Sequence, residues 1–267
     1  MRFLIIVLFL TFISVPSTIV HAQSSKQPFT SSIHLTQGQK DWLLATSAIL
    51  TEMNHKRHDL LGGDIITEQN IIDARQSMTA WWGIQDREDF LAALSWIEQG
   101  GNRGLFNLYA ANIDGPEIRK FLDNYSKNEA DAMAQAGPKA VAQLRETKNR
   151  LDIVSAHREL GTKSIQAWDF GRYVSLCRWG YLVGYLSEDE AWARIYAVGM
   201  HLQSVFSSWQ DLGRDYLIGR RFWNYSRSVK DDDKEKAVFK QLSDQPDSPW
   251  QKIPWNLNLK SSEQINP

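Results

Sequence analysis

A single cysteine in 267 residues, Cys177, leaves no intramolecular disulfide, so the stability of this chain has to come from a packed core. Charge of one sign is also lacking: 30 Lys and Arg stand against 31 Asp and Glu, and no long basic stretch occurs. A nucleic-acid partner is therefore not expected, nor a general attraction to anionic lipid. Beyond the N-terminus no apolar run approaches the roughly 20 residues of a membrane span. No alternating strand, Asn-Gly hairpin or fixed-period repeat is evident. GxSxG, HExxH, Walker and dinucleotide fingerprints are missing as well, so no catalytic class announces itself. Paired carboxylates for glycoside chemistry stay open, because their separation belongs to the fold and not to sequence spacing.

What is present begins with an N-terminal pattern: Arg2, an apolar run from Phe3 to Val15, Pro16, and Val20-His21-Ala22 before a cut after Ala22. This reads as a secretory signal peptide over residues 1–22, with an uncleaved anchor as the alternative, and makes the mature chain an exported, periplasmic or secreted protein. Residues 23–34 are polar and read as a flexible leader.

From there the chain is punctuated by helix starts. Thr36 with Gln39 forms a capping box ahead of one helix of about five turns, and Thr67, Asp86, Ser187 and Ser208 open four more. Asp114 to Glu117, Ser126 to Glu129 and Gly137-Pro138 are further starts. The expected fold class is all-α: one multi-helix globular domain over residues 35–226, its helices joined by short connections. Residues 227–267 are expected to be a charged linker, including the run KDDDKEK at 230–236, followed by an extended tail with its Trp250 and Trp255 indoles docked on the helical body. Pro249 and Pro254 exclude a long helix there.

The stretch from Ser164 to Trp223 carries the densest pattern. Ile165, Trp168, Arg172, Leu176, Trp179 and Val183 recur every three or four residues, so an apolar helix face is interrupted by one arginine. Tyr173, Cys177, Gly180 and Gly184 make a second face suited to close helix packing, with Cys177 as a small buried residue. Charges in otherwise apolar helices cost several kcal/mol unless paired, so they mark either internal ion pairs or a wet cleft. The candidate cleft consists of Trp168, Asp169, Arg172, Arg178, Trp209, Asp211, Arg214, Tyr216 and Arg220, with arginines placed to hold a carboxylate or phosphate. His55 and His58 are read as cations at a helix end and not as ligands, so no metal and no cofactor is expected.

The segments AWDFGR (167–172), RWGYLVGYLSEDEAW (178–192), FSSWQDLGRDYLIGRRFW (206–223) and SPWQKIPW (248–255) resemble the bacterial DUF1266 family of uncharacterised proteins. WLLATSAILTEMN (42–54) and WWGIQDREDFLAALSWIEQGG (81–101) are similar to its N-terminal part. The resemblance implies a largely helical protein and no stated activity. It also implies a histidine after the glycine near position 101, where this chain has Asn102. Two functions follow as expectations: an exported helical module that binds an unidentified protein partner or a small anionic ligand, or a hydrolase-like enzyme using Asp169, Arg172, Asp211 and Arg214.

Overall fold

The computed structural model describes residues 33–113, 116, 152–224 and 230–260, all within one compact unit. The signal-peptide segment and the helix starts expected at 114–117, 126–129 and 137–138 lie outside the described residues, apart from a helical Pro116. Ten helices are assigned over the described residues, with no strand among them. They are α1 (Gln37–Ala45), α2 (Ala48–Met53), α3 (Glu68–Trp82), α4 (Arg87–Glu98), α5 (Gly101–Ile113), α6 (Gln166–Leu182), α7 (Glu188–Val205), α8 (Trp209–Trp223), α9 (Lys230–Asp244) and α10 (Pro249–Lys252). Residues 152–160 are also helical. No described helix is long and apolar enough to cross a membrane.

The helix starts sit where local chemistry puts them. Thr36 and Ser187 form reciprocal capping boxes with Gln39 and Glu190. Thr67, Asp86 and Ser208 each accept a backbone N–H three residues on. Gly83 closes α3 in the left-handed region at φ 68°. The single first helix expected from residues 37–53 is instead two. Thr46 Oγ1 and Ser47 Oγ bond back to the carbonyls of Leu43 and Leu44, at 2.7 and 3.0 Å, in competition with the helical ladder.

The core is built around α6, which buries thirteen of its seventeen residues and packs against α2, α3, α4, α5, α7 and α8. Its crossing with α8 depends on a missing side chain. A Cβ on Gly219 would overlap the Cβ of Trp168, so the two helices meet closely enough for Trp168 and Tyr216 to pack edge to face, 5.1 Å between centroids. Of the two glycines expected to admit a neighbour, Gly180 does so, facing the Phe90 ring. Gly184 lies beyond the end of α6, where it turns the chain at φ 82°. Cys177 is fully buried, and burial pushes its thiol pKa up.

The C-terminal region departs from the expected linker. Residues 230–236 open helix α9, so the expected linker is helical from Lys230, though Asp233, Lys234 and Lys236 remain solvated as expected. Glu235 and Leu242 are buried on its inner face and Val238 and Phe239 half-buried beside them, a helical spacing that the charges around Glu235 mask in the sequence. The chain after α10 is irregular. Trp250 of α10 and Trp255 beyond it both donate to backbone carbonyls of the body, Trp250 Nε1 to Ala45 and Trp255 Nε1 to Phe206, at 3.0 and 3.1 Å. They close a cluster with Trp42 and Trp209.

Candidate functional site

Two buried aspartates, Asp169 on α6 and Asp215 on α8, and the partly buried Asp211 on α8 tie down helix starts. Asp169 is fully buried and accepts the backbone N–H groups of Asn102 and Arg103 at 3.1 and 2.9 Å. It also takes Asn102 Nδ2, Arg103 Nη1 and Arg172 Nη2, each at 3.2 Å. Its carboxylate therefore holds the positive N-terminal end of α5. Gly101 makes the approach possible, since a Cβ there would come within 2.5 Å of Asp169 Oδ2. Asp215 does the same for α6, its Oδ1 accepting Ala167 N–H at 2.7 Å. Its other oxygen is buried without a partner, and burial drives its pKa well above the usual carboxylate range. Asp211 tightens the start of α8 through Ser207 and pairs with Lys163 at 2.7 Å. Burial raises its pKa, but the Lys163 ammonium and the Ser207 bonds outweigh that and hold it low.

The two buried arginines of α6 contrast sharply. Arg178 spends each of its five N–H groups: Nε on Leu61 O, Nη1 on Ser47 Oγ and Thr51 Oγ1, and Nη2 on Arg57 O and Leu60 O. All five acceptors are neutral and come from α2 and the following loop, so Arg178 ties that loop to the core. Burial lowers its pKa to about 10, with Asp64 and Asp59 opposing. Arg172 is equally sequestered, at 9% exposure, yet donates a single hydrogen bond, to Asp169, and its Nε is buried without a partner. Burial lowers its pKa too, against the pull of Asp169. What surrounds its guanidinium is aromatic: it sits 4.7 Å over the Trp82 ring and 4.5 Å over the Trp168 ring.

Arg172 lines a cavity of about 250 Å³ between α2, α3, α6, α8 and α9. Trp82, Trp168, Trp179, Trp223 and Tyr216 wall it, with the largely exposed Trp81 contributing from the end of α3. Arg220 and Glu235 supply the remaining charge, paired at 2.7 Å, with Arg220 4.9 Å over Trp223. Glu235 is 3% exposed, and its second oxygen is buried without a hydrogen-bond partner. The Trp168 indole N–H is likewise unpartnered.

Of the nine residues expected to form a cleft, Trp168, Arg172, Tyr216 and Arg220 come together here. Asp169 stands behind Arg172 as a cap. Arg178, Trp209 and Asp211 are committed elsewhere, Trp209 to Ile253 O and the indole cluster. Arg214 is exposed on α8, one position away from the inward-facing Asp215, and does not line this cavity. Sequence reasoning missed Trp82, Trp179, Trp223, Glu235 and Asp215 as a set. The signal for Glu235 was its place three, four and seven residues before Val238, Phe239 and Leu242. Among the described residues no three His, Cys, Asp or Glu side chains converge as a metal site.

Fold and cavity define an all-helical protein with an aromatic-walled, arginine-bearing pocket. Residues 77–255 match the family described as "Protein of unknown function (DUF1266)", and the chain belongs to that family. The matched span holds every cavity-lining residue from α3, α6, α8 and α9. The chain is 30% identical over 159 residues to "Uncharacterized protein YbeR" of Escherichia coli (strain K12). That stretch covers 58% of this chain and 59% of the relative, less than two thirds of the relative's length. No solved structure matches.

Proposed function

We propose that this protein binds a small organic acid in the cavity, with Arg172 holding the acidic group and the indoles packing its apolar body. The observation that carries this is the difference between Arg178 and Arg172. Folding satisfies the first completely and leaves the second, beside a cavity, with one acceptor for five donors. An acid lying in the plane of the Arg172 guanidinium would supply the missing charge-assisted bonds. Its aromatic or branched body would be desolvated against Trp168, Trp179 and Trp223.

The hydrolase-like alternative draws less support. Asp169 and Asp211, which it needs as acid or base, are engaged as caps and do not line the cavity. Export is part of the proposal and rests on the pattern of residues 2–22, so the ligand would be met outside the cytoplasm.

The test is titration of the mature chain with 3-phenylpropionate, followed in the ¹⁵N-edited spectrum of the indole N–H groups and by calorimetry. Binding should shift the Trp82 and Trp168 signals. Arg172→Gln should weaken it by about 30- to 100-fold, the worth of about 2–3 kcal/mol of charge-assisted hydrogen bonding. No shift at 10 mM acid, or equal binding by the variant, would overturn the assignment.

A further inference from the structure

We propose that the ligand of this cavity is a zwitterion, its carboxylate on Arg172 and its protonated amine on Glu235. This rests on the acid-binding reading above and goes beyond it in giving Glu235 a role. Glu235 reaches the cavity from α9, an element that neither α6 nor α8 needs for its own caps. One carboxylate oxygen meets Arg220 Nε at 2.7 Å, while the other is buried with nothing to accept from. An unpaired carboxylate oxygen at 3% exposure is costly, and a donor arriving with a ligand relieves that cost.

The charges lining the cavity favour the same ligand class. A plain acid answers Arg172 but leaves Glu235 unsatisfied and repels it. A plain amine answers Glu235 but meets two guanidiniums. A molecule with one group of each sign satisfies both ends, and the aromatic walls take its body. Arg172 and Arg220 both stack on Trp168, at 4.5 and 5.9 Å from its ring, so the acidic and basic ends fall around one indole. The cavity of about 250 Å³ equals the share of about eight liquid waters, which suits a ligand of about ten non-hydrogen atoms such as an apolar amino acid.

The experiment compares three probes with the same ring on the mature wild-type chain by calorimetry: phenylalanine, 3-phenylpropionate (acid alone) and 2-phenylethylamine (amine alone). Phenylalanine should bind at least about ten-fold tighter than either, the increment of one more charge-assisted hydrogen bond. In E235Q that advantage over 3-phenylpropionate should fall to about three-fold or less. If the acid alone binds as tightly as phenylalanine to the wild type, the zwitterion assignment fails and the acid site stands. If the amine binds tightest, or no probe binds, both fail. The wild-type series decides the matter without the variant, so an E235Q chain that does not fold leaves the proposal exposed to refutation.

Discussion

Replacing Arg172 and Arg178 separately by methionine, which keeps a long apolar stem and removes the charge, should give opposite outcomes for stability. Arg178→Met strips donors from three partly buried backbone carbonyls that hold residues 57–61 to α6 and from the two buried hydroxyls of Ser47 and Thr51. No longer burying a guanidinium offsets part of the loss, but each buried acceptor left unpaired costs about 1–3 kcal/mol, so five lost bonds should leave a net loss of about 3–5 kcal/mol out of a total stability of about 5–15 kcal/mol. Arg172→Met removes one 3.2 Å bond to Asp169, which keeps four other donors from Asn102 and Arg103. The lost bond and the stacking on two indoles, about 1–2 kcal/mol each, are offset by no longer burying a guanidinium, so the net change should stay within about 1 kcal/mol. Urea unfolding followed by circular dichroism reads both: the midpoint should drop by about 1–2 M for Arg178→Met and by less than about 0.5 M for Arg172→Met. A loss of 3 kcal/mol or more in Arg172→Met would show that this side chain is held as structure, and the ligand site would lose its central argument.

Three further expectations concern the caps and the N-terminus. Gly101→Ala places a Cβ against the Asp169 carboxylate at a residue with φ 49°, and should cost about 2–4 kcal/mol; an alanine variant melting within a degree of wild type would refute the close approach. Because the folded pKa of Asp215 lies above its ordinary value, the folded state binds the extra proton, and this group's contribution to stability is present at low pH and lost as pH rises through the raised pKa. Asp215→Asn, which cannot ionise, should remove that part of the pH dependence above pH 4, whereas superimposable wild-type and variant stability profiles would count against a raised Asp215 pKa. Protein recovered from an osmotic-shock fraction should have an intact mass that begins at Gln23; a mass including residues 1–22 would contradict cleavage after Ala22.

How much of this was legible beforehand depends on the range over which each feature is decided. Caps at Thr36, Thr67, Asp86, Ser187 and Ser208 involve residues three apart, so the chain announces them whatever it later packs against. The break at Thr46-Ser47 was also local, but back-bonding hydroxyls leave the apolar period intact, and a periodicity argument passes over them. The charged run opening α9 was misread because Asp233, Lys234 and Lys236 do face water while Glu235 among them is buried. Exposure of Arg214 beside buried Asp215 turns on one helical position, about 100° of rotation, which spacing alone assigns poorly.

The sequence by itself determined the all-helical class, the helix starts and the rarity of inward-facing arginines on α6, since these follow from short-range bonding and a period of 3.6. Only the tertiary structure decided which of those arginines is finished and which is left waiting. Arg178 finds its acceptors 117 to 131 residues away, and Asp169 finds its helix end 66 to 67 residues away. Arg172, on the same helix face logic, meets indoles and a cavity. A guanidinium buried on a helix looks the same in sequence in both cases; what differs is the set of acceptors that distant segments bring to it.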